Sequence, residues 1–305
     1  MGRDGSAILL TMFLTMIIVT SGIGFNMLVK ERLNTAMALR DKAEAVVGAR
    51  AAFDSLIFAM MAGEIGYASI SMKGTPRPGI GILPLNGDPV NAAVPAGRKT
   101  EVVVSVHDSN GMLSLRRLDA DALRALIHIL DPGKNAASIV DSYSDWVDKD
   151  ITASPLGAEK EYYSRAGLPY GPRQDALPYM DEMLLIRGMD RQLLKRLKKT
   201  VTTLPYTGFN PNTADEETLM AYLGISKRDA ARIRAAAGSI EGPGDMLRYS
   251  HKSLESMDYT KFVPSGYYEV TVKCRVNGAW YAISAGVGLK ETRYFPYNIF
   301  YRREE

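Results

Sequence analysis

Ser6-Ala7-Ile8-Leu9-Leu10 opens an uncharged stretch that runs unbroken to Val29. A run of about twenty apolar residues is long enough to cross a bilayer as one helix, because a helix satisfies its own backbone polar groups in hydrocarbon. The stretch does not stop as a simple anchor would. It passes through Lys30-Glu31-Arg32 into a further helical pattern up to about Gly63, with no proline on the way. The spacing predicts one long helix, half in lipid and half in water, that carries the rest of the chain.

An ordinary secretory signal has a shorter apolar core with a small-residue cleavage site after it. Here the cut falls before the apolar run, at Gly5-Ser6, and the helix is retained. This resembles the type III signal of type IV pilins and pseudopilins, which a prepilin peptidase cuts after Gly. The plainer reading is an uncleaved single-span anchor. Most pilins carry Glu at the fifth mature position, which is Leu10 when Ser6 is the first. A carboxylate in lipid is tolerated only where it has a partner, and in pilins that partner is the neighbouring subunit's N-terminal amine. Leu10 forgoes the contact, which suits the end of a filament better than its shaft.

The remaining length suffices for one large domain or two small ones in a chain of 305 residues. Lys and Arg number 37 against 34 Asp and Glu, so nothing electrostatic argues for nucleic acid. The basic run Arg191, Lys195, Arg196, Lys198 and Lys199 reads as a solvated helix face. Cys274 is the only cysteine and excludes an intrachain disulfide. It alternates with Tyr268, Val270, Val272 and Val276 on one face of a predicted strand, as a buried thiol. His107, His128 and His251 have no metal-ligand spacing. Gly79-Ile80-Gly81 lacks the third glycine of a nucleotide fingerprint, and no hydrolase elbow or phosphate loop occurs. Nothing argues for an enzyme.

Residues 74–97 form a Gly/Pro-rich connection whose Ile80, Ile82 and Leu83 suit either an edge strand or a loop. Glu101 to Val106 reads as a strand closed by the turn Asp108-Ser109-Asn110-Gly111, with Met112 to Leu115 as a short partner strand or a lead-in. From about Asp119 to Phe262 the pattern is helical, with helices expected at Ala120–Leu126, Ala136–Asp148, Met180–Thr200, Asp215–Ala221 and Lys227–Ala237. Tyr267 to Tyr301 reverts to strands, and Asn277-Gly278 is a strong hairpin signal. Within the helical block, residues 181–190 match residues 217–226, with Gly188 on Gly224. Both copies look like helix-hairpin-helix units, often binders of DNA backbone. Asp190 and Ser226 stand where bare glycine amides would be needed, so scaffold use is the better reading.

Asp141 to Asp150 is the densest carboxylate group. Asp145, Asp148, Asp150 and Glu159 converge if the helix ends near Asp148 and the loop curls back. Hard oxygen ligands on a loop favour Ca²⁺. Counted from Asp148, Asp150 is third and Glu159 twelfth, as in an EF-hand, but Ala153 replaces the sixth-position glycine. The alternative is a solvated acidic helix end, although acids there oppose the macrodipole.

The segments Asp145-Trp146-Val147-Asp148-Lys149-Asp150, Gly157-Ala158-Glu159-Lys160-Glu161-Tyr162-Tyr163, Leu177-Pro178-Tyr179 and Asn210-Pro211-Asn212-Thr213-Ala214 resemble the type II secretion minor pseudopilin K family. Residues 106–115 occupy the place of that family's Gly-containing turn, with Ser114 for an Asn. The resemblance implies an α+β fold: a pilin-like N-terminal helix backing an antiparallel sheet, with a large inserted all-α domain carrying helix-hairpin-helix-like repeats. Its divisions are a leader at 1–5, a transmembrane part at 6–29, pilin domain at 30–118, inserted domain at 119–264 and closing strands at 265–305.

The resemblance further implies Ca²⁺ on Asp145, Asp148, Asp150 and Glu159, processing at Gly5 and Ser6, and a place at the pseudopilus tip. The implied partners are minor pseudopilins I and J, with H beyond them, prepilin peptidase and secreted cargo. The implied location is the bacterial inner membrane, single-pass, with a periplasmic C-terminal domain. The rivals are a membrane-anchored helix-hairpin-helix DNA-uptake protein and an anchored hydrolase using Asp145, Asp148 or Glu159.

Overall fold

The computed structural model describes residues 3–72, 79–92, 100–249, 260–289 and 295–305, with side chains from residue 7 onward. His251, the Gly5 and Ser6 side chains and residues 74–78 and 93–97 of the connection therefore lie outside the described residues. Helix α1 spans Arg3–Ala62, 60 residues without a break. Its apolar part is exposed throughout, from Ile8 to Leu39. The stretch has the length and composition to cross a membrane once, as the sequence predicts.

From Ala45 onward the same helix buries one face. Ala45, Ala49, Ala52, Phe53, Leu56 and Met60 recur at intervals of three or four, which is one stripe of an α-helix. The stripe lies on the inner face of a five-stranded sheet. Small residues bring the helix close: a Cβ at Gly48 would stand 2.7 Å from Cys274 Sγ. Gly48→Ala is expected to destabilise by ~2 kcal/mol through overpacking. Adding Cys274→Ala to that variant restores most of the loss, and denaturant titration of the three variants checks it.

After α1 come three short strands, β1 (Glu64–Ile65), β2 (Ser69–Ser71) and β3 (Ile82–Pro84), which form a small antiparallel sheet. Thus Ile82 and Leu83 are strand rather than loop. Then β4 (Val90–Ala92) and β5 (Thr100–Asp108) enter the main sheet. A 3₁₀ turn at Ser109–Gly111 follows. The next strand, β6 (Leu113–Ser114), does not pair back onto β5. It runs parallel to β7 (Val201–Thr202), far along the chain.

The helical part lies between β5 and the returning strands. It contains α2 (Ala120–Leu130), α3 (Ala136–Val147), α4 (Lys160–Arg165), a 3₁₀ helix at Met180–Leu185, and α5 (Arg191–Leu197). After β7 follow α6 (Glu216–Leu223), α7 (Lys227–Ala235) and α8 (Pro243–Tyr249). Side chains of Asp119, Asn135, Asp190, Asp215 and Ser226 accept the N-terminal amides of α2, α3, α5, α6 and α7.

The expected helix over Met180–Thr200 is broken. Pro178 and Gly188, the latter at φ 85, bracket too few residues for an α-helix with a costly nucleus. Gly188 and Gly224 both adopt positive φ and each is followed two residues later by a capping side chain. The leading elements differ, a 3₁₀ helix in one copy and an α-helix in the other, so the likeness covers the hairpins alone.

The chain returns to the sheet through β8 (Tyr267–Val276), β9 (Ala279–Gly288) and β10 (Asn298–Glu304), giving the order β10-β9-β8-β5-β4, all antiparallel. Asn277, at φ 53, and Gly278 turn the β8–β9 hairpin as expected. Tyr268, Val270, Val272, Cys274 and Val276 are all buried towards α1. The helical part has its own two apolar clusters, one around Leu126, Tyr143, Trp146 and Leu193, the other around Phe209, Leu219 and Ile233.

Candidate metal centre

Helix α3 ends at Val147, and Asp148 takes the C-cap position in extended conformation. The turn sends the following loop back across the helix end. Asp145, one turn inside α3, is fully buried, and its carboxylate accepts the Ser154 amide at 3.0 and 3.2 Å. Asp141 accepts the Leu156 amide at 3.2 Å. Two carboxylates on one helix face therefore pin the loop, and its end starts α4. Glu159 caps that helix, accepting the Lys160 amide at 3.1 Å through Oε2.

The result brings Asp148, Asp150 and Glu159 together, each offering an oxygen within 4.8 Å of the others. Asp145 stands behind them as the loop's anchor rather than in the group. Asp148 Oδ1 and Glu159 Oε1 are buried and accept no hydrogen bond. Burial first, then the neighbouring carboxylates Asp150 and Asp145, raises the Asp148 pKa. Burial again leads in raising Glu159, with Asp145, Asp148 and Asp150 adding to it against the Lys160 amide. Acids crowded at a helix C-terminus repel both each other and the macrodipole. Carboxylate oxygens with unengaged lone pairs in that position fit a hard divalent cation.

Two supporting residues carry no ligand signature in the sequence. A Cβ at Gly157 would stand 2.7 Å from Asp145 Cγ and closer still to Oδ2, so only glycine fits there. Arg187 donates to Gly157 O at 3.0 Å and lies over the Tyr162 ring at 4.6 Å, holding the loop from the other side. Beneath the site Trp146 meets Tyr163 edge-on at 5.4 Å, and its Nε1 donates to Glu182 at 3.0 Å. Arg173 in turn forks onto Glu182 at 2.6 and 2.9 Å.

The hairpins look like scaffold. Asp190 and Ser226 accept the amides of Leu193 and Asp229 at 2.8 and 3.2 Å, occupying groups that a phosphate would need. On α5, Leu193, Leu194 and Leu197 are buried while Arg191, Lys195 and Lys198 face outward, the solvated face expected.

Residues 103–206, which hold the loop and its three carboxylates, match the family model described as Type II secretion system (T2SS), protein K. The matched stretch is about a third of the chain. A curated relative, the type II secretion system protein K of Pectobacterium carotovorum subsp. carotovorum, is 24% identical over 188 residues. That alignment takes in 60% of this chain and 56% of the relative, little more than half of its length. A chain in the crystal structure of the GspK-GspI-GspJ complex from the enterotoxigenic Escherichia coli type 2 secretion system has the same fold. It superposes with a TM-score of 0.57 at 22% identity, covering 91% of this chain and 99% of that one. This likeness is one of fold, and it takes in the antiparallel sheet and the helical part together.

Proposed function

We propose that this chain is a minor pseudopilin that sits at the tip of a type II secretion pseudopilus and starts or caps its assembly. The observation that carries the reading is the arrangement around α1. One helix supplies a lipid-spanning half and a half that backs the sheet, and the helical part departs between β5 and β8. On this reading residues 30–118 and 265–305 form the pilin domain and 119–264 the insertion. The separate apolar clusters of sheet and helices support that division. The inserted helices are too bulky to be buried in a filament shaft, and Leu10 offers no carboxylate to a subunit beyond it, so growth proceeds beneath.

The head faces the periplasm and the anchor lies in the inner membrane. Minor pseudopilins I and J pack along α1 and the pilin domain, with H next in the stack, in keeping with the complex whose fold this chain shares. Asp148, Asp150 and Glu159 hold Ca²⁺, with Asp145 fixing the loop that presents them. The cation offsets two of the three carboxylate charges and ties the end of α3 to the start of α4. Prepilin peptidase cuts between Gly5 and Ser6, so the mature protein begins at Ser6 on N-terminal sequencing.

Deletion in the native host tests the function. Export of type II cargo to the medium stops, the full chain restores it, and a chain lacking residues 119–264 does not. Undiminished export after deletion overturns the reading.

A further inference from the structure

We propose that the buried Asp108 carboxylate is the positioning residue that fixes the helical part in one orientation on the sheet. This joint between the two is independent of the secretion role. The chain leaves the sheet after Asp108, the last residue of β5, and comes back at Ser265, just before β8. These two crossings meet at one carboxylate. Asp108 Oδ1 accepts the Ser265 amide at 2.8 Å and the Ser265 hydroxyl at 2.6 Å. Asp108 Oδ2 accepts the Thr213 hydroxyl at 3.0 Å, from the loop that leads into α6. Exit, return and the middle of the insertion are therefore held by one side chain.

The neighbours of Asp108 reinforce the same point. His107 Nε2 lies 3.0 Å from Thr213 O, and Asn110 Oδ1 accepts the Thr207 amide at 3.1 Å. Gly111 lies so close that an added Cβ would stand 2.7 Å from Thr213 Oγ1. Asp108 and Thr213 are wholly buried. Burial raises the Asp108 pKa against the Ser265 and Thr213 hydrogen bonds, and pushes His107 down to about 4. A buried carboxylate whose bonds come from neutral donors is costly, and it accepts from all three donors at once, which a neutral amide does not do.

Apolar packing seals this joint only in part, with the buried Leu204 against Gly286 of β9. A cleft of about 500 Å³, lined by His107, Lys199, Asp215, Arg234, Glu269 and Lys273 among others, separates the helices from the outer face of β5 and β8. The apolar clusters on its two sides are distinct. Beside this charged cleft, orientation leans on directional hydrogen bonds, and those of Asp108 are fully buried.

The test uses the full chain in detergent micelles with spin labels at Glu101→Cys on β5 and Lys195→Cys on α5, both exposed positions. Cys274 is buried and stays unlabelled. Pulsed electron–electron resonance of the labelled chain gives a single narrow distance distribution. Asp108→Ala loses that single peak while far-UV circular dichroism keeps the helix signal. Thr213→Val, which removes one donor and keeps the shape, broadens the peak less. A broad or bimodal distribution in the otherwise unsubstituted chain overturns the proposal. So do folded variants with an unchanged narrow peak, and Thr213→Val decides the matter where Asp108→Ala fails to fold.

Discussion

Gly157→Ala lowers the stability of the protein by ~3 kcal/mol, at the upper end of what overpacking costs. The added methyl must displace the Asp145 carboxylate, which is fully buried and holds the Ser154 amide. Moving that group breaks a buried charge-assisted bond and releases the loop that carries Asp150 and Glu159. Neither backbone strain nor lost solvent contact is involved, since the conflict is between two specific atoms. A control separates this effect from general glycine chemistry. Gly81→Ala meets no heavy atom within 4 Å and is expected to stay within ~0.5 kcal/mol of the parent. Thermal unfolding reads both. At roughly 2–4 °C per kcal/mol for a domain of this size, the Gly157→Ala shift is large and the Gly81→Ala shift is near the noise.

Calcium is expected to raise the unfolding free energy by about 2.7 kcal/mol when its free concentration is a hundred times the dissociation constant. Chelation reverses the gain. Glu159→Gln and Asp148→Asn remove it, and the signs distinguish a metal site from a structural acid cluster. In chelator these two variants are no less stable than the parent, because each relieves repulsion among Asp148, Asp150 and Glu159. In calcium they fall below it. The pH dependence follows from the raised pKa values of Asp148 and Glu159, due first to burial and then to each other and their acidic neighbours. Protons compete with the cation for these oxygens. The calcium increment is therefore full at neutral pH, and it is lost as pH falls through the raised carboxyl values, earlier than for ordinary carboxylates. Calorimetry with and without chelator across that range measures it.

The parts of the fold legible in the sequence are those set by local pattern. The proline-free apolar run gives α1, and the alternation around Asn277-Gly278 gives β8 and β9. What escapes is either short or non-local. Helices α4 and α8 have six and seven residues, below the length at which periodicity separates a helix from a loop. The parallel pairing of β6 with β7 joins segments almost ninety residues apart by two register positions. Nothing in Leu113-Ser114 itself announces it.

The acidic loop divides in the same way. Asp148, Asp150 and Glu159 are visible as spaced hard ligands, and they do converge. That Asp145 turns to the Ser154 amide, and that Gly157 and Arg187 support the loop, follows from how residues 149–159 fold over the helix end. The Asp108–Ser265 joint was equally hidden, because the two residues meet only once the insertion between them has folded.

The most direct test of the central claim is complex formation by the full chain in detergent. It is coexpressed with minor pseudopilins I and J of the same organism, and the mixture is separated by size-exclusion chromatography with light scattering. A tip pseudopilin elutes with both partners in a single peak whose mass corresponds to one copy of each. A chain that elutes alone, with I and J together in a separate peak, contradicts the account.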